Sequence, residues 1–111
     1  MNIGIDIEEV KRFNKYLKDK KYLERIFSKE EILYSLSKKN VAQHLAARFA
    51  AKEAVWKALS SKNKKLIATD VSIQNTKCGK PQVYIKNKKY QKMDVSLSHT
   101  DKCVVAVAIV F

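Results

Sequence analysis

The stretch from Arg48 to Leu59, RFAAKEAVWKAL, sets the tightest constraint on what this chain can fold into. It ends a helical pattern that runs from about Val41 to Leu59, with Asn40 placed to cap it. Ala46, Phe49, Ala50, Glu53, Ala54 and Lys57 are linked by three- and four-residue steps and so share one face. Small residues on that face let another backbone approach closely. A glutamate among them is partly desolvated unless something positive meets it. The plain account is an ion pair between Glu53 and Lys57, worth about 0.2–0.5 kcal/mol on an open helix. Taken alone, the helix favours that account.

Asp6 changes the weighing. The opening NIGIDI alternates Ile3, Ile5 and Ile7 with Gly4 and Asp6, the period of a strand with isoleucines on one face and Asp6 on the other. A strand aspartate flanked by isoleucines is costly to bury without a cation or donors. Two lone carboxylates, one on a strand and one on a packed helix, can meet at a single hard cation. Magnesium needs only one or two carboxylates and completes its shell with water and substrate phosphates. Lys57, one turn beyond Glu53, would then face those phosphates. Spacing leaves this reading level with the plain one.

The rest of the chain is regular, because two glycines and one proline leave little punctuation. EEVKRFNKYLKD shifts to helical spacing through Val10, Phe13, Tyr16 and Leu17, with acidic residues at its start. In FSKEEILYSLSKK, Ser28 and Glu31 form a capping box, which predicts a helix from about Lys29. SSKNKK reads as a polar loop. ATDVSIQ, PQVYIK, DVSLSHT and CVVAVAIVF read as strands, with CGKP as a turn. The last is apolar almost throughout, as a strand covered on both faces should be. No strand–helix–strand alternation persists, so the expected class is α+β: one long central helix packed on a small antiparallel sheet, with residues 1–111 as a single domain.

Composition narrows the partners. A formal net charge of +12 attracts polyanions: nucleic acid, anionic membrane, an acidic protein or a phosphorylated small molecule. The lysines are spread along the chain, which argues against a membrane-surface helix. No helix-turn-helix, zinc-finger or RNA-binding aromatic motif supports nucleic acid. Cys78 and Cys103 fit no metal-ligand spacing and read as reduced structural thiols. With no membrane span and no signal peptide at MNIGIDIEEV, a cytoplasmic address is expected. His99, between Ser98 and Thr100, suits a phosphate or a proton, or a structural role equally well. His44 reads as an ordinary helix residue.

GIDIEEVKR, RFAAKEAVWKAL, CGKPQV and VSLSHT, in this order, resemble the holo-(acyl-carrier-protein) synthases, small 4′-phosphopantetheinyl transferases. The resemblance spans most of the chain, and its first two motifs are specific as a pair. It implies transfer of the phosphopantetheine arm from coenzyme A to a serine of an apo acyl carrier protein, in support of fatty acid biosynthesis. Adenosine 3′,5′-bisphosphate is the other product. It implies magnesium, or manganese in its place, on Asp6 and Glu53, with Lys57 on the same phosphates. Arg48, the Lys80–Pro81 pair, and Ser98, His99 and Thr100 fall at the family's coenzyme-binding positions. Arg12, Lys15 and Lys18 on the first helix, and Arg25 just after it, would dock an acidic carrier. A homotrimer with active sites between protomers is implied as well.

Two departures stand out. The family's glycines after K-A-L are replaced by SSKNKKLIATD, and Trp56 is bulkier than the residue often found there. The rival readings are a basic nucleic-acid-binding module, which needs neither Asp6 nor Glu53, and an inactive transferase-like protein that binds carrier without modifying it.

Overall fold

The computed structural model describes residues 1–59 and 65–111. Strand β1, Asn2–Glu9, pairs antiparallel with β6, Cys103–Val110, and β5, Met93–His99, lies on the other edge of β6. A second antiparallel sheet is built from β2, Val71–Asn75, β3, Pro81–Ile85, and β4, Lys88–Lys89, in that order. Among the described residues three α-helices accompany them: α1 over Lys20–Ile26, α2 over Lys29–Leu36 and α3 over Val41–Leu59. The α+β class holds, with two small antiparallel sheets where one was expected.

Helix α3 crosses the inner face of the first sheet and is the centre of the core. Leu45, Ala46, Ala50, Ala51, Ala54, Val55 and Ala58 on the helix are buried against Val104, Ala106, Ala108 and Val110 of β6. The small residues serve the close approach foreseen for them, and the approaching backbone is β1. A Cβ on Gly4 would stand 1.8 Å from the Ala54 carbonyl oxygen and 2.8 Å from the Ala58 nitrogen. Only glycine fits there.

Ser28 and Glu31 make the reciprocal capping box at the start of α2, as the sequence predicts. At the start of α3 the Asn40 carbonyl accepts from the His44 amide, 3.1 Å, while its side-chain amide donates to Gln43 Oε1.

Several expectations need correction. Glu8 and Glu9 do not start a helix; they continue β1, opposite Val104 and Cys103. The pairing with β6 satisfies their backbone and outweighs their preference for a helix start. Val10–Tyr16 then forms a 3-10 helix that carries Phe13 into the core, fully buried. The helix Lys20–Ile26, capped by the Asp19 carboxylate, was not foreseen, and Arg25 lies in its last turn rather than beyond the first helix. Strand β4 follows a two-residue turn in which Lys86 and Asn87 both take positive φ, 50° and 69°. The last strand is covered on one face only: Val104, Ala106, Ala108 and Val110 are buried, whereas Val105, Val107 and Ile109 are partly exposed. Beside them Ile3, Ile5 and Ile7 are 62%, 56% and 64% exposed.

Candidate active site

The alternation of β1 turns Asp6 inward toward α3, and the inward step two residues later does the same for Glu8. Glu53 meets them from the helix. Burial, then the charge of Asp6, pushes the Glu53 carboxyl above its usual range. Glu8 is pushed up to about 7 by burial first and then by hydrogen bonding to Asp6. The Oδ2 of Asp6 is buried without a hydrogen-bond partner among the described residues. Three carboxylates thus crowd one place with less positive charge than they need.

Two cations border the cluster. Lys57 donates from Nζ to the Ile5 carbonyl at 2.9 Å and stands 3.5 Å from Asp6 Oδ1. Arg12 donates to Glu8 Oε1 at 2.5 Å and lies 5.1 Å from the Phe49 ring centroid. Arg12, assigned to carrier docking by the sequence, is therefore engaged in the site itself. Glu8 was missed. Its signal was its place at i+2 from Asp6 on a strand, hidden by reading it as the start of a helix.

A second group lies elsewhere on α3. Gln43 Nε2 lies 2.6 Å from His99 Nδ1, a side-chain hydrogen bond that joins α3 to the end of β5. The Arg48 guanidinium, 3% exposed as a residue, lies 4.3 Å from the Tyr34 ring centroid, and its Nε and Nη2 are buried without hydrogen-bond partners among the described residues. Burial lowers its pKa, against the pull of Tyr34 and Glu31. His44 packs edge-on to Tyr34, and Lys38 stands over the same ring. Burial, then Arg48, Lys38 and His99, depress the His44 pKa. His44 and Gln43, read as plain helix residues or passed over, belong to this cationic cluster. Arg48 and Glu53 are five residues apart, about 140° round the helix, and Gln43 is about 15 Å from Glu53 along it. Within one chain the carboxylates and this cluster do not meet.

The remaining candidates are dispersed. Lys80 pairs with Asp94 at 3.6 Å on the surface, and Pro81 opens β3. Ser98 is exposed, and Thr100 Oγ1 accepts from the Lys102 and Cys103 amides, holding the β5–β6 turn. Lys15 lies over the Tyr16 ring, and Lys18 borders an open groove of about 1000 Å³ between α1 and α2. None of the three clustered carboxylates lines that groove. Its size therefore does not make it the reaction site. The glycine-poor segment after Leu59 falls largely outside the described residues.

A buried pair sits behind the site. Lys52 Nζ donates to Glu31 Oε1 at 2.7 Å and to the Val71 carbonyl at 2.6 Å, and Glu31 Oε2 accepts from the Ile73 amide. Lys52, next to Glu53 in sequence, is thereby committed to tying α2 and β2 to α3.

Among the described residues no group of three or more His, Cys, Asp or Glu is arranged as a metal cage. Two carboxylates with an unpartnered buried oxygen still suit magnesium, which takes most of its ligands from water and phosphate.

This α+β fold, with strand and helix carboxylates facing each other beside a lysine, is that of a phosphate-handling transferase. The chain matches the model of the 4′-phosphopantetheinyl transferase superfamily over residues 2–108 and belongs to that family. It is 41% identical to the holo-[acyl-carrier-protein] synthase of Treponema denticola, covering 99% of this chain and 97% of that one. The crystal structure of the Bacillus anthracis holo-(acyl-carrier-protein) synthase in complex with CoA (3′,5′-ADP) matches with TM-score 0.82 at 32% identity, over 98% and 94% of the two chains. The Helicobacter pylori synthase in complex with coenzyme A matches with TM-score 0.82 at 32% identity, over 98% and 99%.

Proposed function

We propose that this chain is a holo-[acyl-carrier-protein] synthase. It moves 4′-phosphopantetheine from coenzyme A to a serine of an apo acyl carrier protein. The carrier serine Oγ attacks the β-phosphorus of coenzyme A as the bond to the bridging oxygen breaks, and adenosine 3′,5′-bisphosphate leaves. The observation that carries this reading is the facing pair Asp6 and Glu53, short of positive charge, with Lys57 beside them.

Magnesium, held by Asp6 and Glu53, would neutralise the pyrophosphate and so supply charge stabilisation where negative charge develops. Lys57 contributes a compact charge to the same phosphates. Arg12 holds Glu8 in place. Arg48 and His99 offer donors to the other phosphates of the coenzyme, and the buried, unpartnered nitrogens of Arg48 support that role. Service to fatty acid biosynthesis in the cytoplasm belongs to the same reading, and the free Cys78 and Cys103 suit a reducing compartment.

The separation of the carboxylates from the Arg48–His99 cluster supports an active site shared between copies of this chain, in a homotrimer. The face of Ile3, Ile5, Ile7, Val105, Val107 and Ile109 is a contiguous apolar surface of the kind that marks an interface. Inactive Glu53→Ala and His99→Ala variants, mixed and reassembled, should then regain part of the lost activity, because some sites receive both native residues. No recovery would reject the shared site.

The function itself is tested by the mass of a purified apo carrier protein after incubation with coenzyme A, magnesium and this protein. A gain of one phosphopantetheine is expected. An unchanged mass with the carrier bound would turn the reading to the inactive binder.

A further inference from the structure

Helix α3 buries two cations, Arg48 and Lys52, and they are held in different ways. The Lys52 ammonium is bound to the Glu31 carboxylate and the Val71 carbonyl. Arg48 has no such carboxylate. Its Nε and Nη2 lack hydrogen-bond partners among the described residues, and Glu31, whose charge reaches it, is already bound to Lys52 and to the Ser28 and Ile73 amides. What the guanidinium meets instead is the Tyr34 ring, 4.3 Å from centroid to Cζ. That ring is itself fixed from two sides. Asn75, the last residue of β2, donates from Nδ2 to the Tyr34 hydroxyl at 3.1 Å, and the His44 ring meets it edge-on at 5.5 Å.

We propose that Tyr34 is a positioning residue for the transfer: its ring fixes Arg48 in place while leaving the arginine N–H groups unused, and Asn75 sets the ring from β2. The inference rests on the transferase reading above, which gives Arg48 a phosphate to meet. It adds the residues that act on Arg48 from behind. A carboxylate would fix a guanidinium by taking up its charge and its donors together. A ring face attracts the same group through its quadrupole and takes up neither, and the attraction is strongest where water is excluded. Arg48 is buried, so it sits at that strong end. A long side chain fixed in advance also loses less freedom when an anion arrives. The link to Asn75 is one no local pattern supplies, since 41 residues separate it from Tyr34. It makes the second sheet, through its first strand, part of the support for a residue of α3.

The rival role for Tyr34 is packing alone. Calorimetric titration of the full-length protein with adenosine 3′,5′-bisphosphate in magnesium separates the two, in a double-mutant cycle with Arg48→Met. Tyr34→Leu removes the ring face and should weaken binding about tenfold, within the range of one desolvated cation–ring contact. Tyr34→Phe and Asn75→Ala keep the face and release the hydroxyl, and should weaken it about two- to threefold, the scale of a modest hydrogen bond. In the Arg48→Met background the same changes should add no further loss. Equal weakening in both backgrounds overturns the proposal, as does unchanged affinity in all three variants. Steady-state turnover gives a second readout, which also serves if Arg48→Met binds too weakly to titrate. The KM for coenzyme A should rise in Tyr34→Phe and Asn75→Ala while kcat and the carrier KM hold. A lower kcat with an unchanged KM is loss of folded enzyme, and assigns Tyr34 to packing. If Tyr34→Leu does not fold, the two milder variants decide by the same criteria. If the unmodified protein neither binds the bisphosphate nor turns over, the transferase reading itself is lost.

Discussion

Asp6 and Glu53 lie on a strand and a helix packed against each other, and both are half-buried. Burial first, and then the charge of Asp6, pushes the Glu53 carboxyl upward. Glu53→Gln removes the negative charge of that carboxyl and, on the proposed reading, one of the two carboxylates that would hold the metal. Turnover should fall by about 100-fold or more, while the melting temperature of the metal-free protein stays level or rises. A lower melting temperature would mean that Glu53 is part of the structural scaffold. His44 gives a prediction of another kind. Its folded-state pKa is depressed below 6.5 by burial and by Arg48, Lys38 and His99, with Tyr34 as its ring neighbour. The unfolded chain therefore takes up the proton first as pH falls. The stability His44 contributes is whole above about 6.5 and is lost as pH drops toward its folded value. Glu8, raised to about 7, has the opposite slope, with stability lost as pH rises through that value. Comparing His44→Gln with the parent isolates the first effect: denaturant midpoints should fall less steeply on acidification in the variant. Parallel pH profiles would contradict it.

At the level of elements, the position of Glu53 depends on the neighbour in sequence that faces the opposite way. Lys52 runs into the interior, 5% exposed, and fastens α3 to Glu31 of α2 and to the backbone of β2. Glu31 does three jobs at once: it caps its own helix at Ser28, pairs with Lys52 and accepts the Ile73 amide. Removing one partner leaves the other buried and unpaired, at a cost of about 3–5 kcal/mol. Glu31→Ala should therefore lower the thermal midpoint by well over 10 °C, since 1 kcal/mol corresponds to about 4–8 °C in a domain of this size. Adding Lys52→Met should restore part of the loss. The restoration stays partial because the Ser28 and Ile73 amides still lack their acceptor. Full additivity of the two changes would show that the pair does not couple these elements.

For the whole molecule, the excess of 23 basic over 11 acidic residues matters through where it is displayed. Arg12 is engaged with Glu8, so reversing its charge would disturb the site as well as any docking surface. Lys15 and Lys18 are outside the carboxylate cluster and give the cleaner test. Lys15→Glu combined with Lys18→Glu should raise the KM for an acidic carrier several-fold and flatten its dependence on salt. Coenzyme A affinity should hold. Equal effects on both substrates would place those lysines elsewhere in the reaction.

The sequence by itself determined the parts whose signal is local. The alternation of NIGIDI fixed which way Asp6 points, and the spacing of Glu53 and Lys57 put them on one helix face. The capping box located α2, because its hydrogen bonds close within four residues. The motif order carried the family. What only the tertiary structure decided involves residues far apart in the chain. Glu8 entered the site because β6 extends the pairing of β1 past the point where local preference would begin a helix. Lys52 and Glu31 meet across 21 residues, and His99 and Gln43 across 56, distances no periodicity can encode. The apolar outer face of β6 read as covered from its composition alone. Hydrophobicity records that a surface avoids water, and packing decides whether this chain covers it or leaves it for another.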